Sequence, residues 1–100
     1  MNTYIIRRYN AWKNNQELEA TAARSLQVGN EEMADQIRWI RSYVVQEADG
    51  TLGTVCVYQA TNADAIREHA KRVGMPADEI TCVADTVIIR SDPSETEKAA

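Results

Sequence analysis

The sequence of 100 residues predicts one α+β domain with a ferredoxin-like β-α-β-β-α-β sandwich fold. Two observations predict it. Short β-branched and aromatic runs alternate with Ala- and Glu-rich segments of helical periodicity, in the order strand, helix, strand, strand, helix, strand. A turn signal separates the two central strands. Right-handed crossovers then give a four-stranded antiparallel sheet with both helices on one face.

The first strand and helix are predicted from local composition and a cap. Residues 4–9, Tyr-Ile-Ile-Arg-Arg-Tyr, are aromatic and β-branched, as strands are. Asn14 precedes Glu17 by three residues, which resembles a capping box at a helix start. The apolar stripe that follows recurs every four residues: Leu18, Ala22 and Leu26. Gly29 either ends this helix or lies within it, because Met33 roughly extends the stripe.

The central hairpin is predicted at residues 37–47 and 52–59, both rich in Val, Ile and aromatic residues. Asp49-Gly50 lies between them. This dipeptide favours a two-residue type I′ turn, in which both central positions take positive φ.

The second helix is predicted to begin near Thr61 or Asn62, since both are good N-caps. Its apolar stripe consists of Ile66, Ala70 and Val73. Gly74 and the following Pro76 favour its end there.

The last strand is predicted over residues 79–90, which are again rich in Val and Ile. The polar residues 91–100 contain a proline and predict a flexible tail. The domain itself is therefore expected to comprise residues 1–90.

Composition disfavours several classes of protein. The formal net charge is −4 and the basic residues are scattered, so we expect no nucleic-acid binding. No apolar run approaches about 18 residues and the start lacks a signal segment, which predicts a cytoplasmic protein without membrane association. Cys56 and Cys82 lack CxxC spacing, so neither a disulfide scaffold nor a zinc ribbon is expected.

Alternation along the hairpin predicts what each sheet face carries. We predict that the aliphatic set lies on the face under the helices: Ile40, Val44, Val55 and Val57. We predict that the aromatic and polar set lies on the open face: Trp39, Arg41, Tyr43, Thr54, Cys56 and Tyr58. Exposed rings form a sticky patch, so we expect a homodimer through the sheet, or a pocket for a small molecule. A monomer with an amphipathic open face is the alternative. The candidate pocket or interface residues are Trp39, Arg41, Tyr43, Cys56 and Tyr58.

Catalytic motifs are absent from the sequence, so no catalytic residue is assigned and an enzyme is not favoured. His69 is the only histidine. It is either a partly buried structural residue or a metal ligand or proton-transfer group. Because a metal site needs several donors, His69 would require carboxylates, thiolates or a second subunit.

Three segments of the second half resemble a family of small bacterial ferredoxin-like proteins described as nickel-binding or nickel-responsive: residues 53–60, 62–70 and 74–80. The resemblance covers roughly residues 4–89. It implies a dimeric, metal-associated binding protein, with nickel as the candidate cofactor and His69 as the matching helix histidine. Met75, Arg7 and Arg8 occupy positions where relatives can carry further histidines, which implies a depleted site.

Two functions follow from this reasoning. The first is a non-enzymatic binding protein of the nickel family with His69 as the remaining donor. The alternative is a dimeric α/β-barrel-type protein that binds a small organic ligand on the face of Trp39, Arg41, Tyr43 and Tyr58. This alternative covers cofactor-free enzymes as well as binding proteins.

Overall fold

A computed structural model describes residues 1–93 of the chain. Its elements are β1 (Asn2–Trp12), α1 (Asn15–Gln27), a π-helical turn (Val28–Glu32), β2 (Ile37–Gln46), β3 (Leu52–Ala60), α2 (Ala63–Val73) and β4 (Glu79–Cys82). The strands form one antiparallel sheet in the order β2-β3-β1-β4. The predicted ferredoxin-like fold is confirmed. Residues 94–100 of the predicted tail lie outside the described residues.

Both helices begin at predicted caps. The side chain of Asn14 accepts a hydrogen bond from the backbone N–H of Glu17 at 3.0 Å, and Asn62 accepts one from Ala65 at 2.9 Å. Each bond satisfies an N–H that has no partner within the helix. Gly74 ends α2 in the left-handed region, with φ of 85°.

The chain winds on past Gln27, which settles the question that the sequence left open at Gly29. Val28–Glu32 form a π-helical turn in which Val28 and Gly29 are buried. Within the described residues, no helix is long and apolar enough to cross a membrane.

The hairpin strands are confirmed, but the predicted type I′ turn is wrong. Glu47 N–H donates to the Thr51 carbonyl at 2.9 Å, and Gly50 N–H donates to the Glu47 carbonyl at 3.0 Å. Of the residues in this loop only Gly50 has positive φ, at 87°. The Asp49 carboxylate accepts from the backbone N–H and the hydroxyl of Thr51. These bonds favour a three-residue loop with glycine in the left-handed position.

The last strand is shorter than predicted, because β4 pairs with β1 only from Glu79 to Cys82. One further bond joins Val83 N–H to the Thr3 carbonyl at 2.8 Å. The apolar residues Val87, Ile88 and Ile89 leave the sheet and are 77–79% exposed.

The face assignment of β3 is also wrong, since its aromatic and polar residues point toward the helices. Thr54, Cys56 and Tyr58 are buried, whereas Val55 and Val57 are only half-buried. Burial of Tyr58 and Cys56 is tolerated there because these two side chains find partners. The Tyr58 hydroxyl lies 3.2 Å from Ser25 Oγ on α1, and Cys56 Sγ accepts from Ser42 at 2.9 Å.

A bulge in β2 separates Trp39 from Arg41 and Tyr43, which the prediction had placed on one face. Pairing with β3 jumps from Trp39 to Arg41, so Ile40 has no partner in the ladder. An extra residue reverses the alternation that follows it. Trp39 and Ser42 therefore lie toward the helices, and Arg41 and Tyr43 lie on the opposite side.

Candidate functional site

The five predicted site residues do not share one face. Trp39, Cys56 and Tyr58 lie together under the helices, where the rings of Trp39 and Tyr58 stack with centroids 6.0 Å apart. Arg41 and Tyr43 lie on the open face, and Tyr43 is 53% exposed. The open face therefore does not hold the predicted constellation.

A cavity of about 470 Å³, here called the α1 cavity, lies between α1 and the sheet. Its apolar walls include Trp12, Leu18, Ala22, Trp39, Val44 and Tyr58. Four of the five predicted residues border it. Trp39, Cys56 and Tyr58 do so from under the helices, whereas Arg41, beside the bulge in β2, also borders a second hollow on the open face. Tyr43 lines that second hollow and not the α1 cavity.

The indole rings of the cavity walls are held by hydrogen bonds at their polar ends. Trp12 Nε1 donates to Thr21 Oγ1 on α1 at 2.9 Å. Trp39 Nε1 donates to Ser42 Oγ at 2.8 Å. Both donors are satisfied within the protein, so the ring faces are fixed without a ligand.

Arg8 is the residue of this site that sequence reasoning missed. It lines the α1 cavity and is only 1% exposed. Its Nε donates to the Pro76 carbonyl at 2.6 Å, and its Nη1 lies 3.2 Å from Cys56 Sγ. The available signal was alternation, since Arg8 continues the buried series of Tyr4 and Ile6 on β1.

Two buried polar atoms of residues that line the cavity have no hydrogen-bond partner among residues 1–93. These are Arg8 Nη2 and Thr54 Oγ1, and both residues line the α1 cavity. A buried polar group without a partner is costly, and a buried charge more so.

Arg7, the neighbour of Arg8 in β1, has the anionic partner that Arg8 lacks among the described residues. Arg7 points to the opposite face, where its Nη2 lies 3.0 Å from Glu47 Oε1. Arg8 has no salt bridge with any carboxylate in the described part of the chain. The guanidinium of Arg8 is therefore a buried cation without an anionic partner among residues 1–93.

Tyr58 lines the cavity as a neutral phenol. Burial raises its pKa to about 12, and the hydrogen bond from Ser25 opposes that rise only in part. Near neutral pH the hydroxyl keeps its proton and can both donate and accept a hydrogen bond.

His69 connects the two helices. It is 1% exposed, and its Nε2 lies 3.0 Å from the carbonyl oxygen of Ser25. Because a carbonyl can only accept, Nε2 carries the proton and donates, and Nδ1 is left buried without a partner in the described structure. Burial lowers the pKa of His69, so the imidazole is neutral near pH 7.

Nickel does not fit the described residues. Among residues 1–93, no three His, Cys, Asp or Glu side chains are grouped as a metal site requires. The one histidine is buried and uses Nε2 for Ser25. Within the described residues, the fold therefore does not complete a metal site around His69, the predicted ligand.

Comparisons with known proteins give one family and one structure. A family model described as "Nickel responsive protein SCO4226-like" matches residues 4–83. The crystal structure of SCO4226 from Streptomyces coelicolor A3(2) superposes with a TM-score of 0.68 at 20% identity, covering 85% of this chain and 99% of that chain. At this identity the similarity shows the fold. A comparison with the curated proteins finds no match.

Proposed function

The chain belongs to the SCO4226-like family of nickel-responsive proteins, and from that premise we propose that it is a small non-enzymatic binding protein that holds an apolar organic molecule in the α1 cavity. The observation that carries the proposal is the cavity itself, at about 470 Å³. Small-molecule sites usually measure roughly 300–1,000 Å³ and combine apolar walls with a few convergent polar groups.

The cavity has both properties. Its walls are mostly apolar, and the rings of Trp12, Trp39 and Tyr58 offer flat surfaces for a hydrophobic body. Hydrogen bonds already fix both indoles. A wall that is ordered before binding loses less conformational entropy when the ligand enters.

The test uses a neutral fluorescent probe and a matched pair of variants. Ala22 lines the cavity, whereas the adjacent Ala23 faces solvent on the same helix. Wild type and Ala23→Trp should bind N-phenyl-1-naphthylamine with one site per chain. Ala22→Trp fills the cavity and should lose this binding. Absence of binding to wild type, or equal binding to both variants, would refute the proposal.

The family name points to nickel, whereas the described residues contain no group of three potential metal donors. We expect calorimetric titration with nickel to give the same result for wild type and His69→Gln. A saturable heat that disappears in His69→Gln would instead establish His69 as a ligand, supplemented by donors from a second subunit.

A homodimer through the open face is the second part of the proposal. Ile5 and Tyr43 are exposed on this face beside the half-buried Val55 and Val57. The unpaired segment at Val87–Ile89 adds further exposed apolar surface. A second copy related by a two-fold axis would bury the same patch on both chains.

Sedimentation equilibrium tests the dimer. Wild type and Ala23→Asp should sediment at twice the chain mass at micromolar concentration. Tyr43→Asp places a charge in the proposed interface and should sediment as a monomer. A monomeric wild type would exclude this interface, as would a Tyr43→Asp variant that dimerises like wild type.

A further inference from the structure

We infer that the ligand of the α1 cavity is an organic anion, an apolar body with one acidic group that pairs with Arg8. This inference rests on the proposed function and narrows its class of ligand. It is carried by Arg8, a buried residue that lines the cavity and whose Nη2 has no hydrogen-bond partner among residues 1–93.

The burial of Arg8 requires explanation. Arginine is almost never fully buried unless it is paired, because removing a charge from water is costly. Here the guanidinium has a carbonyl, that of Pro76, and a thiol sulfur, that of Cys56, as its partners. Neither is a carboxylate, and a sulfur is a weak acceptor. Nη2 retains unused donor capacity beside an apolar cavity.

The hydroxyl of Thr54 is a second hydrogen-bond donor for the acidic group of the ligand. Thr54 lines the cavity, and its Oγ1 is buried without a partner in the described part of the chain. β1 and β3 place Arg8 and Thr54 directly opposite each other in the ladder, so their side chains rise side by side from one face. An oxyanion between them could accept from the guanidinium and from the hydroxyl.

The acidic side chain at the cavity does not take this role. Glu19 lines the cavity from α1, but it is exposed at the rim and forms no salt bridge with Arg8. The counter-charge must therefore come from outside the described residues. An organic acid that enters with its apolar body against Trp39 and Tyr58 meets this requirement.

Two probes with the same aromatic body test the inference. 8-Anilino-1-naphthalenesulfonate carries a negative group, and N-phenyl-1-naphthylamine does not. Wild type should bind the anion more tightly, by about 10-fold to 100-fold, the range for a hydrogen bond to a charged group. Ala22→Trp should lose both probes, which places the binding in the cavity.

Arg8→Met should remove the preference for the anion while it keeps the affinity for the neutral probe. Arg38→Met is the matched control, because Arg38 is exposed on β2 and the same positive charge is lost from the protein. This control should retain the wild-type preference. Retained binding of the neutral probe also shows that Arg8→Met has folded.

The outcomes separate the two proposals. Equal affinity of wild type for both probes, or an unchanged preference in Arg8→Met, overturns the anion inference and leaves cavity binding in place. Binding of neither probe overturns the proposed function and this inference with it. If Arg8→Met does not fold, a crystal structure of wild type with the sulfonate decides: the sulfonate must lie about 3 Å from Arg8 Nη2, and any other placement refutes the pairing.

Discussion

Gly53 on β3 occupies a position where a single methyl group should be destabilising. A Cβ built on this residue would lie 2.5 Å from the carbonyl oxygen of Arg8 and 2.8 Å from Arg7 Nη1, and it would also collide with Glu47 Oε2. The Arg8 carbonyl belongs to the neighbouring strand, so it cannot retreat without disturbing the ladder between β1 and β3. The two side chains form the 3.0 Å salt bridge and would have to separate.

The expected magnitude for Gly53→Ala follows from these contacts. Overpacking typically costs about 1–3 kcal/mol, and a clash with backbone favours the upper half of that range, about 2–3 kcal/mol. In a domain of this size each kcal/mol lowers Tm by about 4–8 °C, so we expect a decrease of at least about 8 °C. Calorimetry and urea unfolding at one fixed protein concentration would measure it.

Gly29→Ala is the matched control. A Cβ at Gly29 meets only His69 Nε2, at an ordinary 3.7 Å. Alanine is also favoured over glycine in a helical turn by about 0.5–1 kcal/mol. Gly29→Ala should therefore leave the free energy of unfolding unchanged or raise it. The steric reasoning fails if Gly53→Ala is as stable as wild type, or if both alanines cost the same.

Two further predictions concern the groups that join the helices to the sheet. Tyr58→Phe and Ser25→Ala should each cost about 1 kcal/mol and the double variant less than their sum, because they remove one buried hydrogen bond; additive free energies of unfolding would argue that the 3.2 Å contact contributes nothing. Burial lowers the pKa of His69 below its ordinary 6.5, so below that pH the unfolded chain takes up a proton that the folded state resists. Stability should therefore fall as pH is lowered from 7 to 5. His69→Gln should flatten this dependence, and an unchanged slope would assign it to other groups.

Local signals predicted the order of the elements well. The caps at Asn14 and Asn62 and the end of α2 at Gly74 depend on a few adjacent residues, and each is confirmed. The hairpin strands are confirmed for the same reason. Their turn differs because the side chain of Asp49 bonds to Thr51, an interaction that the dipeptide alone does not reveal.

Which side chains face the helices depends on distant partners. This was predicted wrongly for Trp39 and for β3, whereas Arg41 and Tyr43 lie on the open face as predicted. One unpaired residue, Ile40, reverses the alternation in β2, and its sequence carries no mark of a bulge. The buried hydroxyl of Tyr58 has its partner in Ser25, 33 positions earlier in the chain. Arg8 was missed although alternation with Tyr4 and Ile6 places it on the buried face, because arginine is rarely buried without a paired charge. The cavity could therefore not be located from periodicity, although four of its lining residues were identified.

The two thiols of the chain differ sharply in their access to reagents. Cys82 is exposed, whereas Cys56 is 4% exposed and its sulfur lies against Ser42 and Arg8. A maleimide should modify Cys82 quickly. It should modify Cys56 only slowly, either through the cavity that Cys56 lines or when α1 moves away from the sheet. In a Cys82→Ser background, the rate of alkylation at Cys56 would then measure how readily a reagent reaches this buried thiol. A compound that occupies the cavity should lower that rate, so mass spectrometry of Cys56 could screen metabolite fractions for the natural ligand.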